Sequence, residues 1–306
     1  MIVSKSARLT TLPSYVGRPL AVLFAVDVAI ASAYVFLGWS WLSLPQTPLS
    51  IFGGVLGVIA GFRNSSAYAR WWEARTIWGA IVNNSRNFAR EVLSMVIPPE
   101  GEAASAAGIC EAKEELIMLQ IAYVHALRNA LRGTSPWEDL ARLIPDADIS
   151  LLRSQNNVPL AIQQKIACII ADCRRRGWID DMRWAMLDRT LSNLMDCQGA
   201  SERIKNTPMP RLYDFFIRLF IRLYCLLLPL GMVASLKLLT PVGSTLVGFI
   251  FLVLDQLGRD LESPFENRAN DIPLSAISRN IEINLRQLIG EIEVPEPLAP
   301  VADVLW

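Results

Sequence analysis

The chain has 306 residues, of which 52% are hydrophobic and only 19% charged, and its mean hydropathy is +0.33; this is the composition of a membrane protein more than of a soluble domain. Basic and acidic residues balance at 29 each, so there is no bulk positive charge for nucleic acid and no solvating acidic tail. His125 is the sole histidine, and the five cysteines at 110, 168, 173, 197 and 225 contain no Cys-x-x-Cys pair, so no metal or cofactor is expected and the cysteines read as small apolar fillers.

The first stretch, "MIVSKSARLTTLPSYVGRP", is polar and basic and reads as a cytosolic arm. It leads into "LAVLFAVDVAIASAYVFLGWSWLSL" (20 to 44), long enough to cross the roughly 30 Å hydrocarbon layer, with Trp39 and Trp41 at an interface. Asp27 lies inside this span, where an unpaired acid costs on the order of 2.5 to 3.5 kcal/mol, so a partner is expected. The next apolar stretch, "LSIFGGVLGVIAGF" (49 to 62), is shorter than the roughly 20 residues of a lipid-surrounded span, yet its helical pattern runs on through "RNSSAYARWWEARTIWGAIVNNSRNFAREVL".

At 100° per residue, Gly53, Gly57 and Gly61 share one sector, the kind of face that lets backbones approach in a membrane. Ile51, Val55, Val58 and Phe62 fall on the other side. Asn64, Ser65 and Ser66 at membrane-edge depth need surroundings other than lipid. One continuous rod leaving the bilayer along the axis of an oligomer satisfies all of these, and a ring of such rods makes an apolar constriction able to gate ions by dewetting. The alternative is a stripe that meets lipid or a core.

Amphipathic helices such as "KEELIMLQIAYVHALRNALRG" and "PLAIQQKIACIIADCRRRG", each closed by glycine after arginines, fill the middle of the chain. Two further spans, 219 to 239 and 242 to 258, form a hairpin joined at Thr240-Pro241-Val242, with Pro229 interrupting the first of them. Arg218, Arg222 and Asp255 are candidates for pairing at the membrane edge, either pinning helices together or lining a vestibule. Strand-like alternation is scarce, so the fold is all-α. Lys5, Arg8 and Arg18 before the first span, with most arginines in the middle region, place both termini and that region in the cytosol by the positive-inside rule.

Three stretches in this order, "GFRNSSAYARWWEAR", "RLYDFFIRLFIRLYCLLLPLG" and "ESPFENRANDIPLSAISRNIEINLRQL", make the sequence resemble the bestrophin channel family in its bacterial branch, over nearly the whole chain. The resemblance implies an all-α inner-membrane protein with four transmembrane helices per subunit, in two pairs (20–62 and 212–258). It also implies a large cytosolic helical bundle (63–211 and 259–306) and assembly as a homopentamer, in contact with membrane lipid, around one central pore. Carried over by position, the pore neck falls on Gly54, Val58 and Phe62; the periodicity puts Val55 nearer the centre of the stripe than Gly54, so either makes the upper ring. For a second, cytosolic aperture the match near "RRRGWIDDMRW" offers Ile179 or Met182, the competing reading being a surface helix start with Asp180 and Asp181 at its N-terminus.

Animal bestrophins carry a run of acids after the Pro-Phe that clasps calcium, an ion needing six to eight oxygens. Here "ENRANDI" offers only Glu266 and Asp271, so no calcium clasp and no calcium dependence is expected. The expected function is a channel for small monovalent ions, with cation permeation as the main reading from bacterial relatives, and an anion channel or a coupled transporter as alternatives. No nucleophile elbow, phosphate loop or ligand set points to an enzyme. The "VPEPLAPVADVLW" tail reads as an extended strap on a neighbouring subunit that shelters Val301, Val304, Leu305 and Trp306.

Overall fold

The computed structural model describes residues 1, 12–98 and 106–306; Lys5 and Arg8 of the basic arm lie outside them. Among the described residues the chain is all-helical, apart from an isolated bridge between Val301 and Val304. The helices are α1 (Leu12–Phe36), α2 (Gln46–Met95), α3 (Ala106–Arg132), α4 (Trp137–Leu140), α5 (Asp146–Leu152), α6 (Val158–Arg175), α7 (Asp181–Asn206), α8 (Arg211–Leu236), α9 (Thr240–Glu262) and α10 (Leu274–Leu288). They gather into two compact units, one holding Met1, Glu73–Thr207 and Phe265–Trp306, the other residues 12–72 and Pro208–Pro264.

The apolar unit contains three helical stretches long and apolar enough to cross a membrane: α1, α2 with its preceding turn, and the α8–α9 hairpin. Helix α1 ends earlier than expected, at Phe36, because Gly38 takes φ +68°, a left-handed conformation that glycine adopts freely; Trp39 and Trp41 then stack on each other at 6.0 Å. Helix α8 runs through Pro229 unbroken, a correction with a known basis, since neighbouring helices in a bundle re-satisfy the carbonyl a proline strands. The hairpin turn is also displaced. It is made by a 3-10 turn at Lys237–Leu239, while Thr240 and Pro241 open α9, where a proline's fixed φ and missing N–H cost nothing.

Packing in this unit centres on Leu23, Leu49, Leu56, Ile217, Ile221, Leu228 and Phe251, with Tyr224 edge-on to Phe251 at 4.9 Å and to Phe52 at 5.8 Å. Asp27 finds its partner in α9: it is fully buried and its Oδ2 accepts a hydrogen bond from Thr245 at 3.0 Å.

In the second unit, glycines at φ +68° (Gly133) and +75° (Gly177) follow α3 and α6 as the sequence pattern requires. The C-terminal tail touches its own chain: the Trp306 carbonyl accepts from Ala276 N at 2.7 Å, meeting one of the unpaired N–H groups at the start of α10, and Val304, Leu305 and Trp306 are half-buried while Val301 stays exposed.

Candidate functional site: an uncovered stripe on α2

Helix α2 is a single helix of 50 residues, about 75 Å long at 1.5 Å per residue. The passage from apolar to polar sequence at Phe62 therefore occurs without a break. Within the apolar unit one side of α2 is packed, by Leu49, Gly53, Leu56, Ala60, Arg63 and Ala67, all buried. The opposite side is bare. Ile51, Val55, Val58 and Phe62 are between 53% and 67% exposed, Gly54 and Gly61 are exposed beside them, and the stripe continues through Ser65, Ser66 and Ala69. All four residues expected at the neck, Gly54, Val55, Val58 and Phe62, thus lie on one uncovered face.

The expected glycine face is only partly a packing face. A methyl group on Gly53 would strike the Tyr224 ring, whose Cζ lies 2.7 Å from that position, whereas Gly57 and Gly61 have no atom within 4 Å of theirs. The packed sector is centred on Leu56 and Ala60; Gly57, half-buried, sits at its edge, and Gly61 lies on the exposed side.

The polar residues after Phe62 are accommodated in two ways. Ser65 and Ser66 join the bare stripe, Ser66 Oγ bonding back to the Phe62 carbonyl at 3.0 Å. Asn64 turns the other way and donates to the Leu254 carbonyl of α9 at 3.0 Å.

Arg63 is the residue that sequence reasoning missed. Its guanidinium is fully buried and bridges Asp255 of α9, at 2.8 Å, and Asp214 of α8. Asp214 also takes Arg218 at 2.5 Å, and Asp255 takes Arg259. Three arginines and two aspartates thus alternate across three helices, each charge flanked by the opposite one, which is what makes ionised groups tolerable away from water. Gly258 makes room for this cluster, since a methyl group there would meet Arg63 Nη1 at 3.3 Å. The signal was present: Arg63 falls in the sector of Leu56 and Ala60, so it faces the packed side.

The Arg-Trp-Trp that follows has a physical role as well. Arg70 Nε donates at 2.8 Å to the carbonyl of Glu262, the last residue of α9, meeting one of the acceptors a helix end leaves open. Tyr68 stacks on Trp71 and Trp72 at 6.3 Å and 6.4 Å.

Of the two residues expected at a cytosolic aperture, Ile179 is 3% exposed, while Met182, in the first turn of α7, is 78% exposed. Asp180 caps that helix, its Oδ1 accepting from Arg183 N at 2.8 Å. Both acids of "ENRANDI" have structural partners: Glu266 pairs with Lys205 at 2.6 Å, and buried Asp271 accepts from Arg268 N at 3.0 Å. Burial lifts the Asp271 carboxyl above the usual carboxylate range, more than its backbone and Arg268 partners lower it.

A family model described as Bacterial/Fungal Bestrophin protein matches residues 8–287. The chain belongs to the bestrophin family. Among curated relatives, this bestrophin is 32% identical over 298 residues to a voltage-dependent anion channel-forming protein of Ralstonia nicotianae, covering 97% of this chain and 94% of the relative. It is 34% identical over 287 residues to the voltage-dependent anion channel-forming protein YneE of Escherichia coli K12, covering 94% and 91%. Its fold matches the crystal structure of a bacterial bestrophin homologue from Klebsiella pneumoniae with a TM-score of 0.84 at 28% identity, over 91% of this chain and all of that one. The relatives' names run against the cation permeation expected from the sequence and favour its anion alternative.

Proposed function

We propose that this bestrophin is an ion channel of the inner membrane that conducts small monovalent anions through one central pore, assembled as a homopentamer with both termini in the cytosol and four membrane crossings per subunit. The observation that carries this reading is the bare stripe of α2. A face of valine, phenylalanine, glycine and serine, unpacked by its own chain and passing without interruption from apolar to polar, suits a water-filled axis better than acyl chains. Val58 and Phe62, with Val55 or Gly54 above them, form the neck; Met182 forms the second narrowing.

An apolar neck selects ions poorly by binding, so charge preference comes from its surroundings. In the apolar unit, among residues 12–72 and Pro208–Pro264, eight basic side chains stand against five acidic ones, and the cluster immediately after Phe62 carries three arginines to two aspartates. That excess positive field supports the anion reading, as do the relatives' names. No calcium is required, since the Pro-Phe segment supplies only two acids, Glu266 paired with Lys205 and Asp271 buried, far short of the six to eight oxygens of a clasp.

Reversal potentials of the purified protein in planar bilayers, measured across a sodium chloride gradient and again with gluconate replacing chloride on one side, test the assignment. The expected result is a reversal potential near that of chloride and unaltered by a calcium chelator. A reversal potential that follows sodium would overturn it.

A further inference from the structure

Away from the stripe, α3, the turn after α4 and α10 enclose a recess of about 110 Å³ lined by His125, Asp139, Arg142, Arg279, Glu282 and Arg286. At on the order of 30 Å³ per water, it has room for a small polyatomic ion. Its charges are crowded and unequal. Glu282 receives His125 Nε2 at 3.1 Å and Arg286 Nε at 3.2 Å, and Arg279 Nε stands 3.3 Å away as an ion pair without a hydrogen bond. Asp139 receives Arg142 Nη2 at 2.8 Å, Asn129 Nδ2 at 2.8 Å and Arg128. Arg286 reaches on to Glu291 at 2.7 Å. Four guanidinium groups and an imidazole therefore share three carboxylates.

The shortage of acceptors leaves traces. The Arg128 guanidinium is held below its ordinary value by burial first, with Asp139 offsetting this only in part and Arg142 and Arg279 adding like-charge repulsion. Among the described residues, Arg128 Nε and His125 Nδ1 are buried atoms without a hydrogen-bond partner. His125 is 2% exposed and lines the recess.

We propose that this recess binds a small inorganic oxyanion of the sulfate, phosphate or bicarbonate class. Such a group brings several acceptor oxygens and a negative charge, which is what the guanidinium forks here lack, and their planar geometry suits it.

Sulfate is the suitable probe because it does not itself titrate between pH 6 and pH 8. The full-length protein in detergent is titrated with sodium sulfate against sodium chloride at matched ionic strength, with the unfolding midpoint and calorimetric heats as readouts. The expected result is a saturable rise in the midpoint with sulfate. Arg142→Gln, at an exposed side chain whose loss spares the fold, and Arg279→Gln each weaken sulfate by roughly tenfold or more. Arg174→Gln, removing an exposed arginine paired with Asp181, changes nothing. Absence of a saturable sulfate effect, an unchanged response in both arginine variants, or an equal response to chloride overturns the proposal.

Discussion

The two halves of α2 are one helix with opposite needs. From Glu73 to Met95 its inward residues Ala74, Trp78, Ile81, Phe88 and Val92 have no exposure at all, and this half is the core of its unit. From Ile51 to Phe62 the same helix packs one side and leaves the other bare. A helix covered on one side within its own chain draws its stability from that side alone. The bare side is then available for a task set by what lies outside the subunit.

Substitutions on the packed sides should be the costliest. Trp78→Ala, emptying a fully buried site, is expected to lower unfolding stability by about 3–5 kcal/mol. Arg63→Ala should cost a similar ~3–5 kcal/mol, because Asp214 and Asp255 lose the cation between them; denaturant or thermal unfolding checks both, and a loss below ~1 kcal/mol for Arg63→Ala would show that the buried cluster is not what fixes this part of α2. Gly53→Ala should cost about 1–3 kcal/mol through overpacking against Tyr224. By contrast, Gly61→Ala should be neutral or slightly stabilising in the same unfolding measurement, by up to ~1 kcal/mol, since alanine favours the helix and no atom stands in its way.

The smallest stability effects, and the largest functional ones, belong to the bare side. Phe62→Ala and Val58→Ala should change stability by less than ~1 kcal/mol while raising single-channel conductance or open probability and leaving the reversal potential unaltered. Unchanged currents in both would remove these residues from the neck and erase the functional difference between the halves.

Much of this contrast was legible in the sequence because helical periodicity reports which residues share a side. Ile51, Val55, Val58 and Phe62 were separable from Gly53 by arithmetic alone, and the unbroken pattern past Phe62 announced a single helix. What periodicity does not report is which partner each side meets. Gly57 and Gly61 were grouped with Gly53 because all three lack side chains, but only Gly53 has a neighbour close enough for that to matter. Arg63 read as the end of a span because its two carboxylate partners are remote in the chain, on α8 and α9. Ile179 and Met182, three residues apart, differ in exposure because one precedes α7 and turns into the core while the other stands on its first turn, a distinction set by the cap at Asp180. The tail's apolar residues signalled a need for shelter, yet hydrophobicity carries no address; within its own chain the tail meets α10 through the Trp306 carbonyl.

Because Phe62 and Arg63 are consecutive, the clamp on one restrains the other. Twisting α2 about its long axis far enough to swing the phenyl ring aside would drag a guanidinium from between two carboxylates belonging to two different helices. Moving the phenyl ring by rotation of α2 is therefore energetically disfavoured; a rotamer change of the ring, or tilting α2, α8 and α9 together as one rigid group, leaves those ion pairs intact.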